Sequence, residues 1–340
     1  MSKNVIVLGM SNALAVKLNY YGEPEVIQDH SEGADKIECA VISDNDSAGH
    51  PFLVGRAARI EGIFYPDELK SFFSDGASED SETCLTALFQ YILEIARASG
   101  EDFSEAAICC PSYFKQGVIC NAANAAGICT YVDHLRFINE QEAVLASCRR
   151  DTALQHESVL VCDLGGSRLD VYLLQIDDLS NAIKEGFSDN SLGGRQWTDC
   201  MKQLLLDKIV EETGFAIDEL DNETLCEIGY EAERIKAHLS FNGTRKMRIR
   251  IYNEPYRLMV DRKEFEEYAE EYVKALRLRI TSFIEEACWE FNQILLLGGA
   301  SRMPIVRATM EKAFPGKKII SGGDFTVAYG AAFVANSQDS

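Results

Sequence analysis

Short apolar runs that end in glycine recur along this chain, separated by stretches whose apolar residues fall three and four apart. Residues 4–9 (NVIVLG) and 13–18 (ALAVKL) read as buried strands on either side of Met10-Ser11-Asn12. Residues 159–162 and 169–174 repeat the pattern around Asp163-Leu164-Gly165-Gly166. Further strands are predicted at 24–28, 37–42, 51–54, 106–110, 135–138 and 294–297. The segment 84–98 reads as an amphipathic helix with Leu85, Leu88, Phe89, Ile92 and Ile95 on one face. Helices are also expected at 116–127, 141–149, from Ser191-Leu192-Gly193-Gly194 to Ile209, and over about 223–239. Three more follow at 262–287, at 304–314 with Pro304 in the first turn, and at 327–336, a closing helix of small residues. A hairpin is expected from 246–252 and 256–260 around Asn253-Glu254-Pro255, with Arg245, Lys246, Arg248 and Arg250 on its solvated face. Strands alternating with helices give an α/β class with helices on both faces of the sheets.

The two glycine hairpins superpose residue for residue. Gly9 falls on Gly165, Ser11 on Ser167 and Val16 on Tyr172. This reads as a diverged duplication, two lobes that each begin with the same hairpin. A length of 340 residues accommodates them. The first lobe is placed at 1–150, with a shortened, acidic and Ser/Gly-rich insertion around 55–82. The second is placed at 151–340, with a helical and hairpin subdomain over about 195–290.

Composition narrows the function. The chain is 46% hydrophobic and 26% charged, as in soluble globular proteins. A formal net charge of -21 repels nucleic acid and anionic lipid, so direct binding of either is not expected outside a local patch. No run approaches the ~18 apolar residues of a membrane span. Eleven cysteines without a CxxC pair argue for reduced, buried thiols and a cytoplasmic setting.

The hairpin at 159–174 carries chemistry. A glycine turn can aim several N–H groups at one anion, and an acid at the strand end can hold a hydrated Mg²⁺ beside it. An ordinary glycine hairpin has the same sequence appearance. In the first hairpin Val7 stands where the second has Asp163, and Met10 where the second has Gly166.

Five segments, in order, decide between the two readings: AICCPSYFKQGVICNAANAAGI, LRFINEQEAVLAS, VLVCDLGGSRLDVYLL, ILLLGGASRMPIVRATMEKAF and FTVAYGAAFVA. Together they resemble the ATPase domain of the heat-shock-70 (DnaK-type) chaperones. The resemblance implies an actin-like ATPase fold, two lobes each with a mixed β-sheet flanked by helices, and ATP or ADP in the cleft between them. On the adenosine side, Glu233, Lys236 and Ser240 match the family's E-x-x-K-x-x-x-S helix face, and Gly298, Gly299, Arg302 and Asp324 a second wall. Gly194 matches the loop after the central hairpin, and Gly9, Ser11, Gly165, Gly166, Ser167 and Arg168 the phosphate turns. Ala237 stands where the family stacks an arginine on adenine.

The catalytic side departs further from the family. Asp163 keeps the second-loop acid on the Mg²⁺ side, Glu140 the carboxylate of the INE motif, and Pro111 the switch proline. Val7 replaces the first-loop acid, Met10 and Ser11 replace paired threonines, and Arg168 replaces another threonine. Lys70 is the candidate for the catalytic lysine, off the family's spacing. Losing one such group costs ~100-fold or more in rate, so little hydrolysis is expected.

The form GG-x-R-x-D, with Arg168 and Asp170, is similar to the atypical member of the family in the ribosome-associated complex. That member partners the J-domain protein zuotin at the ribosome and binds ATP with little hydrolysis. Arg168 then either neutralises phosphate charge in place of metal or points to solvent. The resemblance leaves no room before Ser340 for a peptide-binding domain. The implied protein is a nucleotide-binding chaperone subunit acting with a J-domain protein and ribosomes on nascent chains, and with a full-length heat-shock-70 chaperone as a further partner. A slow ATPase and a nucleotide-free scaffold are the alternatives.

Overall fold

The computed structural model describes residues 4–43, 52–63, 79–129, 135–155, 157–177, 181–252 and 254–337. They form two compact units, one of Met1–Gln155 with Phe325–Ser340 and one of His156–Asp324. The expected second lobe of 151–340 is thereby corrected at its end, because the closing helix belongs with the first unit. Lys70 lies outside the described residues, as does most of the expected insertion.

The first unit runs through β1 (Asn4–Leu8), β2 (Asn12–Leu18), β3 (Pro24–Val26), β4 (Ile37–Glu38), β5 (Val41–Ser43) and β6 (Phe52–Val54). It continues with α1 (Arg56–Glu61), α2 (Glu79–Ala98), β7 (Ala107–Cys110), α3 (Gln116–Ala126), β8 (Phe137–Asn139) and α4 (Glu140–Cys148). Its main sheet has the order β3-β2-β1-β7-β8, with β4 also on β2, and β1, β7 and β8 are parallel. After Asn4, β1 is apolar because both faces are covered. Ile6 and Leu8 pack with Leu88, Phe89 and Ile92 of α2 and Ile119 of α3, whereas Val5 and Val7 pack with Ala328, Ala331 and Ala332 near the C-terminus.

The second unit contains β9 (Ser158–Leu164), β10 (Leu169–Ile176), β11 (Asn181–Asp189), α5 (Gly194–Thr213), α6 (Asn222–Leu239), β12 (Thr244–Ile251) and β13 (Glu254–Asp261). It ends with α7 (Arg262–Tyr268), α8 (Glu270–Ala287), β14 (Gln293–Leu297), α9 (Pro304–Ala313) and β15 (Lys318–Ser321). The sheet order is β11-β10-β9-β14-β15, mixed, with β9, β14 and β15 parallel. Leu160, Cys162 and Leu164 alternate onto a core that contains Trp197, Leu205, Ile235 and Ile280. The helix expected over 262–287 breaks into α7 and α8 at Ala269, whose backbone (φ -88, ψ 10) leaves the helical region. The hairpin β12-β13 forms a separate two-stranded ribbon. Arg245 is paired with buried Val260 and, by alternation, shares the inner face with Met247, not the solvated face expected for it.

α10 (Thr326–Asn336) returns to the first unit. Its small residues let it lie against α4 so closely that a Cβ on Gly330 would sit 1.7 Å from the Ala143 carbonyl oxygen. Ser147 Oγ donates to the Thr326 carbonyl at 2.6 Å, and Arg136 donates to the carbonyls of Val334 and Ala335 at 3.0 and 2.9 Å.

Candidate functional site

The two glycine hairpins adopt the same turn. Gly9 N–H donates to the Asn12 carbonyl at 2.9 Å, and Gly165 N–H to the Arg168 carbonyl at 3.0 Å. The register then pairs Val7 with Leu14 and Asp163 with Asp170. In each turn two consecutive N–H groups, of Met10 and Ser11 and of Gly166 and Ser167, make no protein hydrogen bond among the described residues. Such paired N–H groups form an anion-binding concavity.

The second turn is braced from behind. The first two N–H groups of α5, on Gly194 and Arg195, donate to the carbonyls of Gly165 and Gly166 at 2.8 and 2.7 Å. Gly193 makes this approach feasible, since a Cβ there would lie 2.1 Å from the Ser167 carbonyl carbon. Gln196 Oε1 accepts from Gly193 N–H at 3.0 Å, closing the helix start. Tyr272 OH donates to the carbonyls of Ser191 and Gly193 at 3.0 and 3.1 Å. Because the turn's carbonyls face the helix, its N–H groups are available on the opposite side.

Lys236 extends the brace. Its Nζ donates to the Gly194 carbonyl at 2.9 Å and to Thr198 Oγ1 at 2.7 Å. Burial pushes the Lys236 pKa down, partly opposed by the charges of Glu233 and Asp199. Glu233 therefore lies within electrostatic reach of Lys236, and Ser240, at the end of α6, donates to the Lys236 carbonyl at 3.3 Å. The structure thus keeps Glu233 and Ser240 near Lys236 on α6 and its cap, and joins Lys236 to Gly194. Thr198 and Tyr272 were not legible, since one hydroxyl in a helix and one in a distant helix carry no motif.

The ends of parallel neighbours β9 and β14 place Asp163 opposite Leu297. Gly298 follows with φ 80 and ψ 154, a region that only glycine adopts without strain. A Cβ on Gly298 would lie 2.2 Å from the Leu164 carbonyl oxygen and 2.6 Å from Asp163 Oδ1. Gly299 faces open space. Arg302 forms an ion pair with Asp324. Ala300 lies near Gly194, so the Gly298–Arg302 turn and the start of α5 meet beside the Gly165 turn. In open α/β sheets, ligands are received outside the carboxyl ends of such strands.

Two charged groups set the electrostatics. Burial, with a further contribution from the Asp170 carboxylate across the ladder, pushes Asp163 up to about 7. Asp163 has no hydrogen bond or ion pair among the described residues. Arg168 turns to Asp170 at 3.1 Å, and Ser188 Oγ also donates to Asp170. Among the described residues no three His, Cys, Asp or Glu side chains gather as a metal cluster. A half-buried carboxylate with another carboxylate across the ladder and no countercharge of its own fits a cation held largely through its own waters, not a closed protein cage.

In the first unit the counterpart position is closed. Val7 is 6% exposed and belongs to the core around α10. Ser11 is exposed, and Cys39 N–H donates to its carbonyl at 2.8 Å. Glu140 opens α4 beside its cap Asn139, whose Oδ1 accepts from Gln141 N–H at 2.8 Å. The charge of Glu140, after burial, helps push the thiols of Cys109 and Cys110 up, which places it at the end of β7. Pro111 follows that strand and is buried.

Comparison with known proteins matches this arrangement to a family. The model of the Hsp70 protein family matches residues 76–338. The chain is 27% identical to the chaperone protein DnaK of Thermotoga neapolitana, with 97% of this chain and 58% of the relative covered. It is also 27% identical to chaperone protein dnaK1 of Synechococcus elongatus, over 79% of this chain and 41% of the relative. The chain spans about half the length of the curated relatives it matches. No helix among the described residues is long and apolar enough to cross a membrane. With the family model covering most of its length, and two mixed sheets flanked by helices that each begin with the same glycine hairpin, the chain belongs to the Hsp70 family and has that family's actin-like ATPase fold.

Proposed function

We propose that the chain is a nucleotide-binding chaperone subunit that holds ATP or ADP with little or no hydrolysis, a slow ATPase being the alternative. One observation carries the reading: the two equivalent hairpins differ at the acid position, which holds the half-buried carboxylate of Asp163 in one and core residue Val7 in the other. The loops that receive phosphate are intact as backbone, whereas charge that would act on the terminal phosphate is halved. Gly165, Gly166 and Ser167 would receive the phosphates, with Glu233, Lys236, Ser240, Gly299, Arg302 and Asp324 around the nucleoside. Asp163 would hold a hydrated Mg²⁺, which when bound supplies positive charge against the phosphate oxygens. Arg168, drawn to Asp170 at 3.1 Å, is placed to take up phosphate charge if that ion pair opens.

The chaperone setting follows from the relatives named DnaK. The pattern Gly165-Gly166-Ser167-Arg168-Leu169-Asp170 and the lost first-loop acid favour the atypical role, with a zuotin-like J-domain protein at the ribosome and in the cytoplasm. A surface of net charge -21 suits contact with ribosomes through a basic partner. Isothermal titration with ATP and ADP, with and without Mg²⁺, tests the nucleotide. No heat of binding would turn the reading into a nucleotide-free scaffold. Steady phosphate release lost on Asp163→Asn would turn it into a slow ATPase. Copurification with a J-domain protein and ribosomes tests the partner, and recovery only as free chain would count against it.

A further inference from the structure

The β12-β13 ribbon has an outer face that includes none of the residues proposed to hold nucleotide. Its inner face is core: Met247, Ile249, Ile251, Leu258 and Val260 are buried. Its outer face carries Lys246, Arg248 and Arg250 on β12, all exposed, and exposed Arg257 and Met259 on β13. The register sets Lys246 opposite Met259, Arg248 opposite Arg257 and Arg250 opposite Pro255. Two guanidinium groups directly across a ladder repel, a pairing that sheets ordinarily avoid. Lys246, Arg248 and Arg257 have no ion pair or hydrogen bond among the described residues, and Arg250 has only the neighbouring charge of Glu227. In a chain of net charge -21, this is a concentration of cations, with Asp261 at one end of the same face and Glu227 near Arg250 as the neighbouring carboxylates.

The ribbon has only two strands, so each strand has an outer edge. Apart from the hydrogen bond between the His238 ring and the Thr244 carbonyl, the backbone of β12 and β13 makes no further protein hydrogen bond beyond its own ladder among the described residues. Open edges accept an added extended strand. Lys246, Arg248 and Arg250 recur every second residue, about 6.8 Å apart, which is the repeat of side chains on one face of an extended partner. Met259 and Pro255 place apolar surface among the cations, and Arg with Met is a composition enriched in protein interfaces. No aromatic ring lies on this face to stack a base, and the acidic whole repels a long polyanion. We propose that the outer face of this ribbon docks an extended acidic segment of a partner polypeptide, its carboxylates alternating in step with Lys246, Arg248 and Arg250.

Fluorescence anisotropy of the full chain with a short labelled peptide alternating Glu and Thr tests this. The comparison probes are the same peptide with Gln for Glu and a single-stranded RNA of equal charge. Saturable binding of the Glu peptide, weaker binding of the other two, and loss of affinity by about tenfold in Arg248→Glu and in Arg257→Glu support the proposal. Each single reversal converts the repelling pair into an attracting one, so both variants are expected to keep the wild-type melt. Lys312→Glu, an exposed cation on α9, is the control and should leave affinity within about twofold. No binding of the Glu peptide, an equal loss in Lys312→Glu, or tighter binding of the RNA through the same arginines would overturn it.

Discussion

Replacing Gly298 by alanine should destabilise the end of the second unit that carries the Gly165 turn. The substitution imposes two costs. Gly298 has φ 80 and ψ 154, where a side chain adds about 1–3 kcal/mol of strain. Its Cβ would also meet the Leu164 carbonyl oxygen at 2.2 Å. Relieving that overlap moves the backbone of β9, for a further ~1–3 kcal/mol. The sum is about 2–6 kcal/mol, which for a unit of this size lowers the melting midpoint by roughly 4–24 °C. Both tryptophans, Trp197 and Trp289, lie in His156–Asp324, so tryptophan fluorescence reports this unit alone. Gly299→Ala is the internal control: its Cβ meets nothing within 4 Å and its φ is not positive. It should melt within about 2 °C of wild type or slightly above it. Equal melting of the two variants would refute the argument that Gly298 is required by its close approach to β9.

Three further outcomes follow from the same geometry. Val7→Asp should destabilise the first unit by about 2–7 kcal/mol, because it buries a carboxyl in the core around α10, and should not raise phosphate release; urea titration by circular dichroism and a phosphate assay check both. Lys236→Met should cost only about 1 kcal/mol in tryptophan-detected unfolding, since Thr198 Oγ1 still donates to the Gly194 carbonyl at 3.2 Å. At Asp29, burial pushes the carboxyl up, but hydrogen bonds from Ser31 and from Tyr91 OH at 2.6 Å outweigh it and hold the group below the usual carboxylate range. A depressed carboxyl stabilises the fold above its unfolded pKa and loses that effect as pH falls through the folded one. Tyr91→Phe should therefore cost about 1.5–3 kcal/mol at pH 7, and the deficit should shrink below about pH 4 in urea titrations followed by circular dichroism.

The hairpins were legible because their period-two apolar pattern and glycines coincide, and their repetition showed that Val7 and Asp163 occupy equivalent places. The E-x-x-K-x-x-x-S spacing likewise fixed one helix face before any coordinates. What escaped was set by long-range packing. β11 reads as a polar string because it is an edge strand with an exposed surface. The closing helix gives no sign in its own residues that it joins the first unit; its packing on Val5, Val7 and Ala143, including the fit of Gly330, decides that. The break at Ala269 carries neither proline nor glycine. Arg168 offered two readings, phosphate or solvent, and neither foretold its ion pair with Asp170, which depends on the strand register. Gly193 was one of a visible glycine pair, but its need for a missing Cβ depends on the Ser167 backbone packed against it.

The proposed function requires the chain to grip a purine nucleotide without the charge to cleave it. The most direct measurement loads the purified chain with radiolabelled ATP, separates bound nucleotide after incubation with Mg²⁺, and identifies it. Recovery of intact ATP, in a one-to-one complex, is the predicted result. Recovery of ADP with released phosphate, or of no nucleotide at all, would contradict it.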